Sequence, residues 1–167
     1  HCPVPRDWFP EVDRRHDNQM KKVNQGSRII ALDPGVRKFL VGYDPRGYIL
    51  EFAKDASLIL SDKILKAQSK IPQRDPKNGK EISRKRKLAW RTIRNQIQDL
   101  HWRIADYLTT NYDVIILPDF RTQNMVKRRK LSRTTKRLLC MFSFFRFRQR
   151  LQHKCDERNK RLIIVGE

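Results

Sequence analysis

Three carboxylates stand where chemistry is possible: Asp33, Asp119 and Glu167. Each closes a short apolar run. Arg28-Ile29-Ile30-Ala31-Leu32 leads to Asp33, Val114-Ile115-Ile116-Leu117-Pro118 to Asp119, and Arg161-Leu162-Ile163-Ile164-Val165-Gly166 to Glu167. Carboxylates at neighbouring strand ends, on one face of a sheet, can hold two divalent metals about 4 Å apart that activate water and stabilise the leaving oxygen of a phosphodiester. A hard cation such as Mg2+ asks for oxygen ligands of this kind. Asp33 precedes Pro34-Gly35, so capping a turn is its competing role. Successive strand residues point to opposite faces, so if position 118 faces the site, Asp119 faces away unless the turn re-aims it. Position 118 is a proline, which cannot donate to the ladder and is expected to end the strand. Whether Glu167 reaches Asp33 depends on register, which the sequence leaves open.

The elements that must position these residues follow from hydrophobic period. Residues 1–27 are polar and carry prolines, and are expected to form an arm or the end of a preceding domain rather than a packed element. Short β-branched runs at 28–32, 38–44 and 48–53 are joined by Asp33-Pro34-Gly35 and Asp44-Pro45-Arg46-Gly47. That pattern predicts a three-stranded antiparallel meander. From 56 to 110 the period becomes helical: Leu60, Ile64, Ala67 and Ile71, a break at 72–79, then Leu88, Ile93, Ile97, Leu100, Ile104 and Leu108 as one stripe. Two helices joined by a turn predict a helical hairpin. The other face of the second helix carries Arg84, Lys85, Arg86, Lys87, Arg91 and Arg94, a solvated surface or a contact to nucleic acid.

Val114–Leu117 is apolar on both faces, which predicts a central parallel strand. A basic loop over 121–137 holds Arg121, Lys127, Arg128, Arg129, Lys130, Arg133, Lys136 and Arg137. One helix is expected from about 134 to 158, with Leu138, Met141, Phe145, Leu151 and Cys155 on its apolar stripe and Arg146 and Arg148 among its cations. Arg161–Val165 is the fifth strand. The order β-β-β, helices, β, helix, β is the layout of a ribonuclease-H-like α/β fold. It predicts a mixed five-stranded sheet over 28–167 with flanking helices and a basic hairpin inserted at about 56–110.

Charge narrows the partners. The 167 residues include 38 Lys and Arg against 18 Asp and Glu, a net charge of +20. One-signed charge of this size points to a polyanion, DNA or RNA, and away from a small-molecule substrate. No run of about 18 apolar residues could span a bilayer, so no transmembrane helix is expected; an anionic membrane surface is the weaker alternative to nucleic acid, and no membrane partner is expected. Cys2, Cys140 and Cys155 are too few and scattered for a disulfide framework, which suits a reducing intracellular compartment. His1, His16, His101 and His153 show no metal-ligand spacing. The start HCPVPRDWFPEVDRR has neither an initiator Met nor a signal-peptide core, so the chain is expected to be an internal piece of something longer.

The ordered set ALDPGVRKFLVGYDPRG, a basic helical hairpin, VIILPDFRTQNMV, then FSFFRFRQRL and LIIVGE resembles the RuvC-like nuclease core of the OrfB/TnpB family. These are transposon-encoded, RNA-guided DNA nucleases, and the resemblance is nearest to their eukaryotic and viral relatives, the Fanzor branch. It covers nearly everything from Arg28 to Glu167. It implies Mg2+-dependent DNA cleavage directed by a guide RNA, in the nucleus where the host is eukaryotic. Asp33 matches the family's first catalytic Asp. Bacterial members carry Glu at the position of Pro118. The Fanzor-like branch commonly has Pro there and uses a later Glu, which Glu167 matches. Asp33 and Glu167 are therefore the implied metal ligands, with Asp119 ranked third. The family's zinc ribbon and last catalytic Asp would follow Glu167; no Cys-x-x-Cys occurs here, so the zinc ligands are absent. A non-catalytic DNA- or RNA-binding remnant of the same fold is the alternative, and a basic scaffold protein a weaker third reading. A zinc ribbon and an Asp encoded downstream of Glu167 would favour the enzyme.

Residues 121–160 hold 14 Lys or Arg against two acids, Asp156 and Glu157. Each phosphate neutralised on duplex DNA contributes about −0.9 to the slope of log affinity against log salt, and a slope of magnitude at least about 4 is predicted. Titration of labelled DNA at several salt concentrations measures it; an affinity that barely changes with salt contradicts the electrostatic reading. Lys127, Arg128, Arg129 and Lys130 changed together to Ala should flatten the slope without unfolding the chain.

Overall fold

The computed structural model describes residues 11–13, 26–54, 60, 62, 79–120, 122–127 and 131–166, with backbone alone for 11–13 and 79–86. Strands run at Glu11–Asp13 (β1), Ile29–Pro34 (β2), Leu40–Asp44 (β3), Tyr48–Phe52 (β4), Val114–Pro118 (β5) and Arg161–Val165 (β6). Helices run at Gly79–Asn111 (α1), Thr122–Lys127 (α2), Arg133–Phe142 (α3) and Phe144–Glu157 (α4). The sheet order is β1-β4-β3-β2-β5-β6. β2, β3 and β4 form the expected antiparallel meander, and β5 lies parallel to both β2 and β6.

The sheet has six strands, not five. The added strand comes from the segment expected to be an unpacked arm: Glu11, Val12 and Asp13 pair antiparallel with Glu51, Leu50 and Ile49 at the edge. Three residues carry almost no hydrophobic period, so backbone pairing rather than pattern makes this strand. The hairpin's expected first helix and its break at 72–79 lie outside the described residues except for Leu60, which is fully buried, Asp62, and Gly79, which starts α1 instead of ending a break.

Among the described residues, helices cover one face of the sheet and none covers the other. Ile30, Leu32, Leu40, Leu50, Phe52, Ile115 and Leu117 are buried and form a single core with α1, α3 and α4. The residues between them are partly or largely exposed, including Ile29, Tyr43 and Ile49. Gly42 sits on the covered face opposite Leu32. A Cβ there would come within 2.7 Å of Ile30 Cδ1, so glycine leaves that room to the neighbouring strand. β5 was expected to be apolar and buried on both faces. Ile115 and Leu117 are buried, but Val114, Ile116 and Pro118 are only half-buried, because the described helices lie on one side.

The α1 stripe is as expected from Ile93 onward: Ile93, Ile97, Leu100, Ile104 and Leu108 are all buried. Leu88 is 62 % exposed, since the described core reaches this helix only from Trp90. The single helix expected at 134–158 is broken. Ser143 has φ 48° and ψ 54°, a left-handed conformation that ends α3 and starts α4. An unbroken helix repeats its face every three or four residues. The break brings the buried face round after two, from Phe142 to Phe144, and then to Phe147, Leu151 and Cys155. Phe145, placed on the stripe by an unbroken helix, is 60 % exposed. The start of α3 is capped by Ser132, whose hydroxyl oxygen accepts from the Thr135 N–H at 3.1 Å.

Two buried polar groups tie the elements together. Asp44, at the end of β3, accepts from the Arg46 backbone at 3.0 Å and from its guanidinium at 2.5 Å. Burial works to raise the Asp44 carboxyl, but bonding to Arg46 and to Tyr112 at the end of α1 outweighs it and holds the group below its usual range. His101 of α1 is fully buried. Its Nδ1 accepts from Arg150 at 2.7 Å, so its Nε2–H donates to the Phe142 carbonyl at 2.9 Å. It is thus a satisfied core histidine that joins α1 to both sides of the Ser143 break.

Leu100→Ala should cost about 2–5 kcal/mol, as large-to-small core changes do. Lys87→Ala and Arg91→Ala, at exposed positions of the same helix, should be nearly neutral; equal losses on both faces by denaturant titration would contradict the stripe. Burial, with Arg150 beside it, pushes His101 down from 6.5 to about 3. Below pH 6.5 the unfolded chain therefore takes a proton that the folded chain refuses, and the stability is lost progressively as pH falls towards 3. Thermal unfolding between pH 6.5 and 4.5 should show a shallower pH slope in His101→Gln, by up to about 1.4 kcal/mol per pH unit.

Candidate active site and basic surface

Strand register assembles the site. Ala31 of β2 pairs with Ile116 of β5, and two residues on the same parallel register sets Asp33 against Pro118. Pro118 pairs with Val165 of β6. On the other side Asp33 pairs with Val41 of β3, and Val41 with Glu51 of β4. Residues paired across a sheet project to the same face, so Glu51, Val41, Asp33, Pro118 and Val165 share one row on the uncovered face. Asp33 is exposed there, while its neighbours Leu32 and Pro34 are buried on the covered face.

The turn after Asp33 is fixed by backbone. A Cβ on Gly35 would lie 2.9 Å from the Lys38 carbonyl oxygen, so the turn closes only around glycine. Gly35 N–H donates to the Phe39 carbonyl at 3.2 Å, and Phe39 N–H donates to Phe52 at 3.1 Å. The segment 35–39 is thereby pinned between the end of β2 and the end of β4.

Asp119 lies on the other face. Its N–H extends the ladder to the Val165 carbonyl at 2.8 Å. Its carboxylate accepts from Arg148 Nη1 of α4 at 2.9 Å, on the helix-covered side. Pro118, not Asp119, occupies the β5 position in Asp33's row. Glu167 lies outside the described residues. Glu51 is the acid on this row that the sequence reading missed. It stands two strands from Asp33, about 10 Å at the usual strand spacing, and is ion-paired with Lys38. The lengths of the two tight turns are the sequence signal that fixes its register. Among the described residues no three His, Cys, Asp or Glu side chains group as metal ligands. Of the acids on this row, Asp33 stands at the strand end beside Pro118, whereas Glu51 is two strands away and paired with Lys38.

The basic residues divide by use. Lys87, Arg91 and Arg94 on α1, Lys127 on α2, Arg133 and Arg137 on α3, and Arg146 on α4 are exposed; Lys136 is half-buried. Segment 122–127, expected as loop, is the short helix α2. Arg148 was expected to contact nucleic acid, but the structure commits its guanidinium to Asp119 and sets it 5.5 Å from the centre of the exposed Phe145 ring. Arg84, Lys85 and Arg86 have backbone placement only, and Arg121, Arg128, Arg129 and Lys130 lie outside the described residues. A cleft of about 510 Å³ opens at the same strand ends, bounded by Pro34, Pro118, α2 and the start of α4.

The fold and register define a mixed α/β protein whose layout is compatible with ribonuclease-H-like sheets, with an exposed Asp at the end of a central strand. Comparison with known sequences points to a family. The chain is 25 % identical over 155 residues to the TnpB-like proteins L79 and R854 of Acanthamoeba polyphaga mimivirus, covering 87 % of this chain and 30 % and 29 % of theirs. It is 29 % identical over 136 residues to the putative transposase A625R of Paramecium bursaria Chlorella virus 1, covering 78 % of this chain and 31 % of that protein. It spans about three tenths of the length of these curated relatives. No protein-family model matches the chain. The similarity supports a relation to TnpB-like, transposon-associated proteins. Among the described residues no helix is long and apolar enough to cross a membrane.

Proposed function

We propose that this chain is the RuvC-like nuclease core of a transposon-associated protein of the Fanzor branch, and that it cleaves DNA selected by a guide RNA. The observation that carries the reading is Asp33, exposed on the uncovered face at the end of a strand whose parallel neighbour ends beside it, in a chain similar to TnpB-like proteins. In this reading Asp33 and Glu167 hold Mg2+. Glu167 enters as the second ligand through the family resemblance, two residues after Val165, the β6 member of Asp33's row. A metal pair would supply the activated water and the stabilised leaving oxygen. The chain's own part is to hold one carboxylate rigidly at the turn and to bind phosphates through the exposed arginines and lysines. The RNA guide, the zinc ribbon and a nuclear location enter through the family resemblance.

The second reading, a DNA- or RNA-binding remnant without catalysis, is favoured by Pro118, which removes a carboxylate from the β5 position facing Asp33. The two readings separate by mutation in a full-length parent. Asp33→Ala and Glu167→Ala should each abolish Mg2+-dependent cleavage while leaving DNA affinity within about twofold, because phosphate affinity comes from the cations. Asp119→Ala should keep substantial activity. If Asp119→Ala abolishes cleavage and Glu167→Ala does not, the second carboxylate is Asp119. If the unmodified parent binds DNA and never cleaves it, the remnant reading stands.

A further inference from the structure

We propose that the cleft between α2 and the start of α4 is a pocket for one unpaired nucleobase, with Phe145 as its stacking platform. The proposal rests on the nucleic-acid reading above and names the strand state that the site accepts. Phe145 is 60 % exposed in a chain whose neighbouring phenylalanines, Phe144 and Phe147, are buried. The left-handed residue Ser143 puts it there by rotating α4 out of phase with α3. Phe144 and Phe120, whose rings lie 4.8 Å apart, line the cleft beside it. Arg148 is held by Asp119 at 2.9 Å and lies over one face of the Phe145 ring, 5.5 Å from its centre, so a fixed guanidinium occupies one face and the opposite face is the one for a base.

The polar part of the lining fits the same ligand. Gln123 and Asn124 of α2 are exposed and are among the residues that line the cleft. Each amide presents a donor and an acceptor, the pair needed to read the edge of a base. A cleft of about 510 Å³ is within the range of small-ligand pockets. A base inside a duplex has both faces stacked and cannot offer one to Phe145, whereas an unpaired base can. The cleft is lined by Pro34 and Pro118, the residues next to and opposite Asp33, so a base held in it lies at the ends of β2 and β5.

The test uses this chain with 12-nucleotide single strands of DNA and RNA, each carrying one 2-aminopurine, and a DNA hairpin duplex, all at low salt. Phe145→Ala should weaken single-strand binding about 5- to 150-fold, the worth of one base–aromatic stack, and change duplex binding less than about twofold. Phe145→Leu, which keeps apolar bulk without a π-face, should lose as much as Phe145→Ala, and Phe145→Trp should restore affinity. Quenching of 2-aminopurine emission on binding should appear with the unmodified chain and vanish in Phe145→Ala. Loss on DNA alone, RNA alone or both supports the pocket and identifies the strand. Equal loss on single strand and duplex, or no loss at all, overturns it. If the unmodified chain binds none of the three, the nucleic-acid reading falls as well; if it binds all three and Phe145→Ala is silent, the pocket alone falls.

Discussion

The strand ends depend on the burial of one ring. Phe39 comes six residues after Asp33 and is wholly buried. It stacks on His101 at 5.2 Å and Phe144 at 5.0 Å, and meets Phe142 and Phe147 edge-on at 5.3 Å. Those partners come from α1, α3 and α4, so a single side chain gathers three helices at the turn that follows Asp33. Aromatic pairs of this geometry contribute about 0.5–1.5 kcal/mol each beyond their buried area. Its backbone is committed too, the N–H to Phe52 and the carbonyl to Gly35. The position of Asp33 is therefore set by apolar packing on the far side of the sheet, and its carboxylate need contribute nothing to its own placement.

Period-two alternation does the rest. Leu32 and Pro34 point into the helices and Asp33, between them, points out. The same alternation puts Pro118 in Asp33's row and sends Asp119 to the helix side, where Arg148 holds it. Two acids, each one residue past a β-branched run, thus take different roles: Asp33 faces the uncovered side at the end of β2, and Asp119 fastens α4 to the end of β5. The half-exposed pair of Asp119 with Arg148 contributes modestly in energy, about 0–1 kcal/mol, but fixes α4 against the end of β5.

Much of this was legible in the sequence because the signals were local. The meander followed from Asp33-Pro34-Gly35 and Asp44-Pro45-Arg46-Gly47, and Gly47 adopts φ 91° in the second turn. The α1 stripe followed from spacing over many turns. The helix break at Ser143 was not legible: serine carries no left-handed signal, and what holds it there is tertiary, the burial of Phe142 and Phe144 around Phe39. That one dihedral reversed the reading of Phe145. β1 was missed because a three-residue edge strand is made by its partner's open hydrogen bonds, not by its own pattern. For the site, the sequence offered Asp33 and the parity of Asp119, while Glu51 needed the register. Glu167, the basic run 128–130 and the first hairpin helix lie beyond what the structure describes, so their roles rest on the sequence.

The net charge of +20 overstates what is available to a phosphate backbone. Arg46 is committed to Asp44, Arg148 to Asp119, Arg150 to His101, and Arg158 to Asp106, Thr109 and Thr110 at the end of α1. Each is an arginine, and the planar guanidinium explains the choice. It donates through several N–H groups at once and tolerates partial burial better than an ammonium. Lys87, Arg91 and Arg94 on α1, with Lys127, Arg133 and Arg137 on α2 and α3, are exposed. Arg148 thus ties α4 to the end of β5, Arg150 and Arg158 tie α4 to α1, and Arg46 closes the turn after β3, while the exposed cations lie on helix surfaces. In the proposed reading, the cations offered to phosphate are exposed residues distinct from the arginines committed within the fold, so a substitution among the former should alter affinity without moving Asp33.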